Sequence, residues 1–338
     1  MSAPTRAEQD AATEVIGYAW AINHALAEEM RRDDRVWMMG QDVGRMGGVF
    51  GVTRGLLDEF GSDRVRDTTI NETFIVGGAA GAAMTGTIPV VELQFADFLL
   101  IAGDEIFHKL AKWRYVHGGN LTLPVVVRLP TGVLGGAGAE HSASLEAMAM
   151  HTPGLKVALP ATPSDAKGLL KAAIRDPNPV LFFEHKGLYR TKGPVPVSDE
   201  HVVPFGQAAV RRTGDALTIV ATGLMVGRSL EAAERLAADG IEAEVIDPRT
   251  LVPLDMDTIV ASVERTARAL VVHEAVRTAG AGAEIAAQIQ ERAFFSLDAP
   301  VWRLGAIDTP LPQDPELEQL CIPSAAEIEA AARELVRI

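Results

Sequence analysis

"LTIVATGLMVGRSLEAAERLAADGIEAEVIDPRT", residues 217–250, joins an apolar run, a helical pattern and a second apolar run. The first run, "LTIVATG", and the last, "IEAEVIDPRT", read as strands, with a helix over 226–238 between them. Strands that are apolar throughout are buried on both faces, and strands separated by helices form a parallel sheet covered on both sides. The alternation continues with a helix over 255–265, the strand "ALVVHEA", a helix over 281–293 and the strand "PVWRLGA". A last helix over 324–336 follows Pro323, with Ser324 as its cap.

The same grammar fills the first half of the chain. Buried strands are expected at 36–40 ("VWMMG"), 88–95, 124–129 ("PVVVRL"), 155–159 and 179–184. Helices are expected at 72–86, 97–117 and 163–175, and at 11–31, where Val15, Ala19, Ile22, Leu26 and Met30 recur at helical spacing. Thr162 can cap the helix over 163–175, Pro163 suits its first position, and Asp165 complements the dipole. The stretch "GPVPVSDEHVVP" (193–204) interrupts the pattern with three prolines and reads as a linker between two α/β domains.

Composition narrows the function. With 338 residues, 48% hydrophobic and 22% charged, the chain can bury a large core. A net charge of −14 argues against nucleic-acid and anionic-membrane surfaces. The single cysteine, Cys321, excludes a disulfide framework, a Cys-rich zinc site and a CxxC redox pair. The N-terminus "MSAPTRAEQDAATE" has no apolar signal core, and no stretch has the apolar length of a membrane span, so a cytoplasmic location is expected.

Phosphate-loop, zinc-helix and nucleophile-elbow motifs are absent, and "VGGAAG" at 76–81 lacks dinucleotide-loop spacing. Two features stand out. In "RVRDTTINETFIVGGAAGAAMTG" (64–86), Glu72 sits at the start of a helix built from small residues. It reads either as a carboxylate on the helix dipole or as a reactive acid, poorly solvated and eased toward proton sharing. In "GGAGAEHSAS" (135–144), His141 follows a run of glycines and alanines, as in an active-site loop or a plain turn.

Taken together, "MGQDVG", "GGVFGVTRGL", "RVRDTTINE", "GAAGAAMTG", "VELQFADF", "EHSAS", "HTPGLKVALPATPSDAKGLL", "FFEHKGLYR", "VIDPRTLVPLD" and "IPSAAEIEAA" resemble one family over some 300 residues. It is the β subunit of the thiamine-diphosphate-dependent, decarboxylating dehydrogenase component of 2-oxo acid dehydrogenase complexes. The resemblance implies a pyrimidine-binding, transketolase-like α/β domain over 1–195, a linker over 196–204 and a transketolase C-terminal-like domain over 205–338. It also implies half an active site. An α subunit, expected in an α₂β₂ assembly, would hold the diphosphate through Mg²⁺ with a GDG…N motif; this chain has only "TGDAL" at 213–217. No metal ligand is therefore expected here, and the K⁺ that some relatives hold on backbone carbonyls stays an open point.

In this family thiamine diphosphate becomes nucleophilic when its own aminopyrimidine removes a proton from the thiazolium carbon, aided by a carboxylic group on the opposite ring nitrogen. That group would be Glu72. By motif, Ile70 would contact the pyrimidine through its backbone, Gln94 and Phe98 would line its pocket, and His141 would serve reductive acylation of a lipoyl group. Three positions depart from the pattern: Gln41 where Glu is common, Thr69 where Pro is frequent, and His108 where Asn is frequent. These bear on substrate identity and proton relay more than on cofactor binding. The substrate would be a 2-oxo acid or acetoin, and the acyl group would pass to a lipoyl-bearing acyltransferase core. Two alternatives remain: a split transketolase-like subunit moving two-carbon units, and a non-catalytic assembly subunit whose acidic surface suits a basic partner domain.

Overall fold

The computed structural model describes residues 12–338; residues 1–11, where no apolar leader core was expected and where the expected first helix begins, lie outside the described residues. Contacts divide the chain into two compact units. The first runs up to Pro130 and resumes over His151–Phe205; the second comprises Thr131–Met150 and Gly206–Ile338.

The first unit contains β1 (Thr13–Gly17), β2 (Val36–Gly40), β3 (Val65–Asp67), β4 (Ile88–Glu92), β5 (Val126–Thr131), β6 (Lys156–Ala158), β7 (Val180–His185) and β8 (Lys192–Pro196). Its main sheet runs in the order β6-β7-β5-β4-β2-β3, with β2 parallel to both β3 and β4, β4 parallel to β5, and β6 parallel to β7. Every residue of β4, β5 and β7 is buried, as their near-continuous apolar runs require. The helix Pro163–Ile174 begins as its sequence dictates: Thr162 accepts from the Asp165 N–H and Pro163 occupies the first turn. It buries Lys167 and Lys171, whose ammonium groups share Glu28, on the helix Tyr18–Arg32, at 2.7 and 2.6 Å.

Two expectations need correction. The helix expected from residue 11 starts only at Tyr18, because Thr13–Gly17 is extended and pairs antiparallel with Lys192–Pro196. Val15 fits a helical spacing but is 69% exposed on this ribbon. "TEVIG" is rich in β-branched residues, and a partner strand far along the chain decides its state. The proline-rich stretch from 193 accordingly begins as strand, with Pro194 and Pro196 on a two-stranded ribbon where a missing N–H is tolerated. The helix expected over 97–117 is instead a 3₁₀ segment (Ala96–Leu100), a π-helical stretch (Asp104–Leu110) and an α-helical turn (Ala111–Val116).

The second unit contains β9 (Ala209–Arg212), β10 (Leu217–Ala221), β11 (Ala243–Asp247), β12 (Thr250–Val252), β13 (Ala269–Val276) and β14 (Trp302–Ala306). Its sheet order is β14-β13-β10-β11-β9, parallel except for β9 against β11. One face, with Val220, Ile246 and Val271, packs on Ile259 and Val263 of the helix Met256–Thr266 and on Ile285 and Ile289 of the helix Ala281–Ala293. The final helix, Ala325–Val336, starts with a reciprocal capping box between Ser324 and Glu327.

Candidate functional site

Ligands of parallel sheets gather at the carboxyl ends of the strands. In the first unit those ends carry most of the candidate residues. β2 ends at Gly40 and leads into Gln41 and Asp42; β3 ends at Asp67 and leads to Glu72; β4 ends at Glu92 and leads to Gln94 and Phe98. Gly40 is required there, since a Cβ would lie 2.8 Å from the Glu92 carbonyl oxygen.

Glu72 is the first residue of the helix Glu72–Met84 and is 3% exposed. Asn71 caps that helix through the Phe74 N–H, at 2.9 Å. The dipole's positive end thus already has an acceptor, and Glu72 turns inward instead. The Gln41 amide, also 3% exposed, donates from Nε2 to Glu72 Oε1 at 3.0 Å. Oε2 receives no hydrogen bond among the described residues. Because an amide nitrogen only donates, Gln41 fixes Oε1 as an acceptor and leaves Oε2 as the oxygen able to carry or share a proton.

The loop 41–51 that presents Gln41 is anchored from β3. Asp67 accepts the Gly44 N–H at 2.6 Å and the Arg45 N–H at 3.1 Å, and a Cβ on Gly44 would lie 3.0 Å from both carboxylate oxygens. Asp42, at φ 57°, accepts a long contact of 3.4 Å from Gln94 Nε2. Adjacent residues of one loop thereby reach both Glu72 and Gln94. Phe98 is half-buried and meets Phe95 edge-on at 5.8 Å; Ile70 is 81% exposed just before the helix. Of the helix glycines, Gly77 lies under Glu105, whose Cγ would be 3.1 Å from an added Cβ, whereas nothing lies within 4 Å at Gly81.

Two departures from the family pattern leave this cluster untouched. Thr69 is exposed, and His108 pairs with Asp104 at 3.0 Å on the surface. Gln41 is the departure that reaches the acid. Gln41→Glu would set two carboxyls about 3 Å apart, where like charges oblige the pair to retain a shared proton. The limb of the pH–activity profile governed by this pair is expected to move to higher pH by about one unit or more. Superimposable profiles for variant and parent would refute the coupling.

Beneath the cluster lies an ionic network that the sequence reading missed. Arg128 on β5 is fully buried and donates to Glu92 at 2.5 Å and to Glu184, bidentate, at 2.6 and 2.7 Å. Tyr189 donates to Glu184 at 2.9 Å. Burial works against the guanidinium charge, but Glu184 and Glu92 outweigh it and hold Arg128 above its ordinary value. Burial raises the Glu92 carboxyl, with Arg128 opposing, and burial followed by Glu184 raises the Tyr189 phenol. The available signal was an arginine inside the otherwise apolar run "PVVVRL".

His141 lies in the Thr131–Met150 segment of the second unit, where its N–H donates to the Gly138 carbonyl at 3.2 Å. Glu72, Gln94, Phe98 and Ile70 belong to the first unit. Among the described residues no cluster of three or more His, Cys, Asp or Glu is arranged to hold a metal ion, and no helix is long and apolar enough to cross a membrane.

Residues 14–192 match the family model described as the transketolase pyrimidine-binding domain, and 206–328 match the transketolase C-terminal domain. The chain is therefore of the transketolase-like class. It is 47% identical to the 2-oxoisovalerate dehydrogenase subunit beta of Bacillus subtilis, over 95% of this chain and 98% of that one. Identity is also 47% with the acetoin:2,6-dichlorophenolindophenol oxidoreductase subunit beta of Cupriavidus necator, over 94% and 96% of the two chains. With the pyruvate dehydrogenase E1 component subunit beta of Bacillus subtilis it is 45%, over 94% and 97%. The chain belongs to this family of dehydrogenase E1 β subunits, which is thiamine-diphosphate-dependent. A solved structure described as a split gene transketolase, inactive beta4 tetramer, shares the fold with a TM-score of 0.77 and 26% identity, covering 95% of this chain and 99% of that one.

Proposed function

We propose that this chain supplies the pyrimidine-holding half of a thiamine-diphosphate site in a 2-oxo acid or acetoin dehydrogenase. An α subunit completes the site and holds the diphosphate through Mg²⁺. The observation that carries this reading is the Glu72 carboxyl: buried, with one oxygen fixed by Gln41 and the other open to a ring nitrogen. The surroundings fit an aminopyrimidine, since half-buried Phe98 offers an aromatic wall and Gln94 a polar edge close to it in sequence. When bound, thiamine diphosphate supplies the nucleophilic carbon and electron sink for decarboxylation.

The chain's own residues bind and orient. Glu72 exchanges a proton at Oε2 while Gln41 keeps the carboxyl plane fixed, and the Asp67-anchored loop keeps Gln41 in place. Because the acid is buried and already hydrogen-bonded, little reorganisation is needed as the proton shifts. His141 serves the acyl transfer to a lipoyl group on a separate transferase core, and the acidic surface, at a net charge of −14, suits a basic docking domain on that core.

Two 2-oxo acid dehydrogenases and an acetoin oxidoreductase stand at nearly equal identity, so substrate assignment falls to assay. The chain should be purified alone and co-expressed with its α partner. Reduction of an artificial acceptor is then followed with pyruvate, branched 2-oxo acids, 2-oxoglutarate and acetoin. The α-containing preparation is expected to turn over one of these, and the lone chain none; the related split gene transketolase structure is described as an inactive beta4 tetramer. Activity from the isolated chain would defeat the half-site reading, and transfer between sugar phosphates would favour the transketolase alternative.

A further inference from the structure

We infer that Glu318 is a positioning residue for the His141 loop, its buried carboxylate organising the glycine-rich backbone that carries the imidazole. The inference rests on the reading of His141 as the acyl-transfer residue. The loop has almost no means of holding itself. Between Gly135 and Ala139 it has only hydrogen or methyl side chains, and Gly135, Gly136 and Gly138 sit at φ 84°, 98° and 81°. Those are left-handed conformations that side-chain-bearing residues rarely adopt, so chain entropy opposes this shape unless another segment fixes it.

At Gly135 and Gly136 the fixing contact comes from a distant side chain. Glu318 has no exposed surface. Its Oε2 accepts the Gly135 N–H at 2.8 Å and the Gly136 N–H at 2.6 Å, and its Oε1 lies 3.2 Å from each. Two successive backbone N–H groups converging on an anion form a nest, with the carboxylate here supplied by the protein itself. Among the described residues no basic side chain pairs with Glu318, so these amides are what compensate its buried charge.

The carboxylate is itself held rigidly. Its helix, Pro315–Cys321, is capped by Asp314 through the Glu316 and Leu317 N–H groups at 2.9 and 3.0 Å, with Pro315 in the first turn. The loop lies directly on the segment leading into that helix: a Cβ on Gly136 would be 2.4 Å from the Gln313 carbonyl oxygen. The flanks are tied as well. Glu274 on β13 accepts the Val133 N–H at 2.9 Å, and Thr131 Oγ1 donates to the Ala143 carbonyl at 2.9 Å. Between these ties Glu318 receives the Gly135 and Gly136 N–H groups, just ahead of the Gly138 carbonyl that receives the His141 N–H.

The test uses the assembled enzyme with a lipoyl domain and the variant Glu318→Gln, which keeps the shape but removes the charge and one acceptor. Hydrogen exchange across 131–144 is expected to speed up by about 10-fold or more, the weight of a charge-assisted bond. The ratio of lipoyl acylation to artificial-acceptor reduction is expected to fall by about 10-fold, with the lipoyl-domain KM little changed. A merely structural residue would lower both rates in proportion; that result, or unchanged exchange, overturns the inference. Should Glu318→Gln not fold, Glu318→Asp keeps both acceptors one methylene short, and the same ratio decides. His141→Ala separates the two readings: parental acylation in that variant would defeat the role given to His141, while the clamp on the loop is still decided by exchange in the Glu318 variant.

Discussion

Glu72→Gln in the assembled two-subunit enzyme is expected to lower 2-oxo acid or acetoin turnover by roughly 10²–10⁴-fold, the range for removal of a positioned acid–base group. Folding should be nearly unaffected, for a reason visible in the site. Gln41 now donates to Glu72 Oε1; with glutamine at 72, either amide can present its oxygen to the other's nitrogen, and the buried contact survives. Glu72→Ala is less clean, because it leaves the Gln41 amide unpaired in the interior at a cost of about 1–3 kcal/mol. Turnover, thiamine diphosphate affinity and the thermal midpoint should be measured together. Parental turnover in Glu72→Gln would remove the basis of the functional assignment; lost turnover with a parental midpoint locates the effect in the chemistry.

The second large effect concerns stability. Arg128→Met is expected to destabilise the first unit by about 3–5 kcal/mol, the usual penalty for stripping one partner from a buried ion network. Glu92 and Glu184 would lose the guanidinium they share, and both are buried. The pH dependence has a definite sign. Burial already raises the Glu92 carboxyl in the folded protein, so the folded state binds its proton more tightly than the unfolded one. Such a group favours folding below its unfolded value of about 4.3, and that contribution is lost as pH rises through the folded value. Without Arg128 the effect grows, so urea midpoints of the variant should fall further behind the parent at pH 8 than at pH 5. Adding Glu92→Gln and Glu184→Gln should recover much of the loss, since neither buried side chain is then left with an uncompensated charge and the Tyr189 hydroxyl keeps an acceptor. Equal deficits at both pH values would show that the network is not what Arg128 stabilises.

How much of this could be read from the sequence depended on the range of each cause. Val36–Gly40, the helix Ala281–Ala293 and the caps at Thr162 and Ser324 are set by neighbours within a few residues, and the structure places them where the pattern does. The first helix was misread because Thr13–Gly17 answers to a strand near residue 194. At the site, Glu72 stood out as a lone acid before a run of small residues, yet its tie to Gln41 joins a helix start to a loop 31 residues away. Asp67, Arg128 and Glu318 were missed for one reason. In a linear sequence a charged residue looks like solvated surface, and only the fold shows which charges are enclosed and by what.

The assignment of Thr131–Met150 to the second unit also bears on gene architecture. A fragment ending at Phe205 would retain Glu72, Gln41 and the Arg128 network, but would also carry the His141 segment without Glu274 and Glu318, which hold it. A fragment beginning at Gly206 would carry both anchors and nothing for them to hold. The polypeptide therefore does not divide into two transferable cassettes at its apparent boundary. Recombinants and domain-swap chimaeras between relatives should keep 131–150 and 206–338 from the same parent, even when everything else is exchanged.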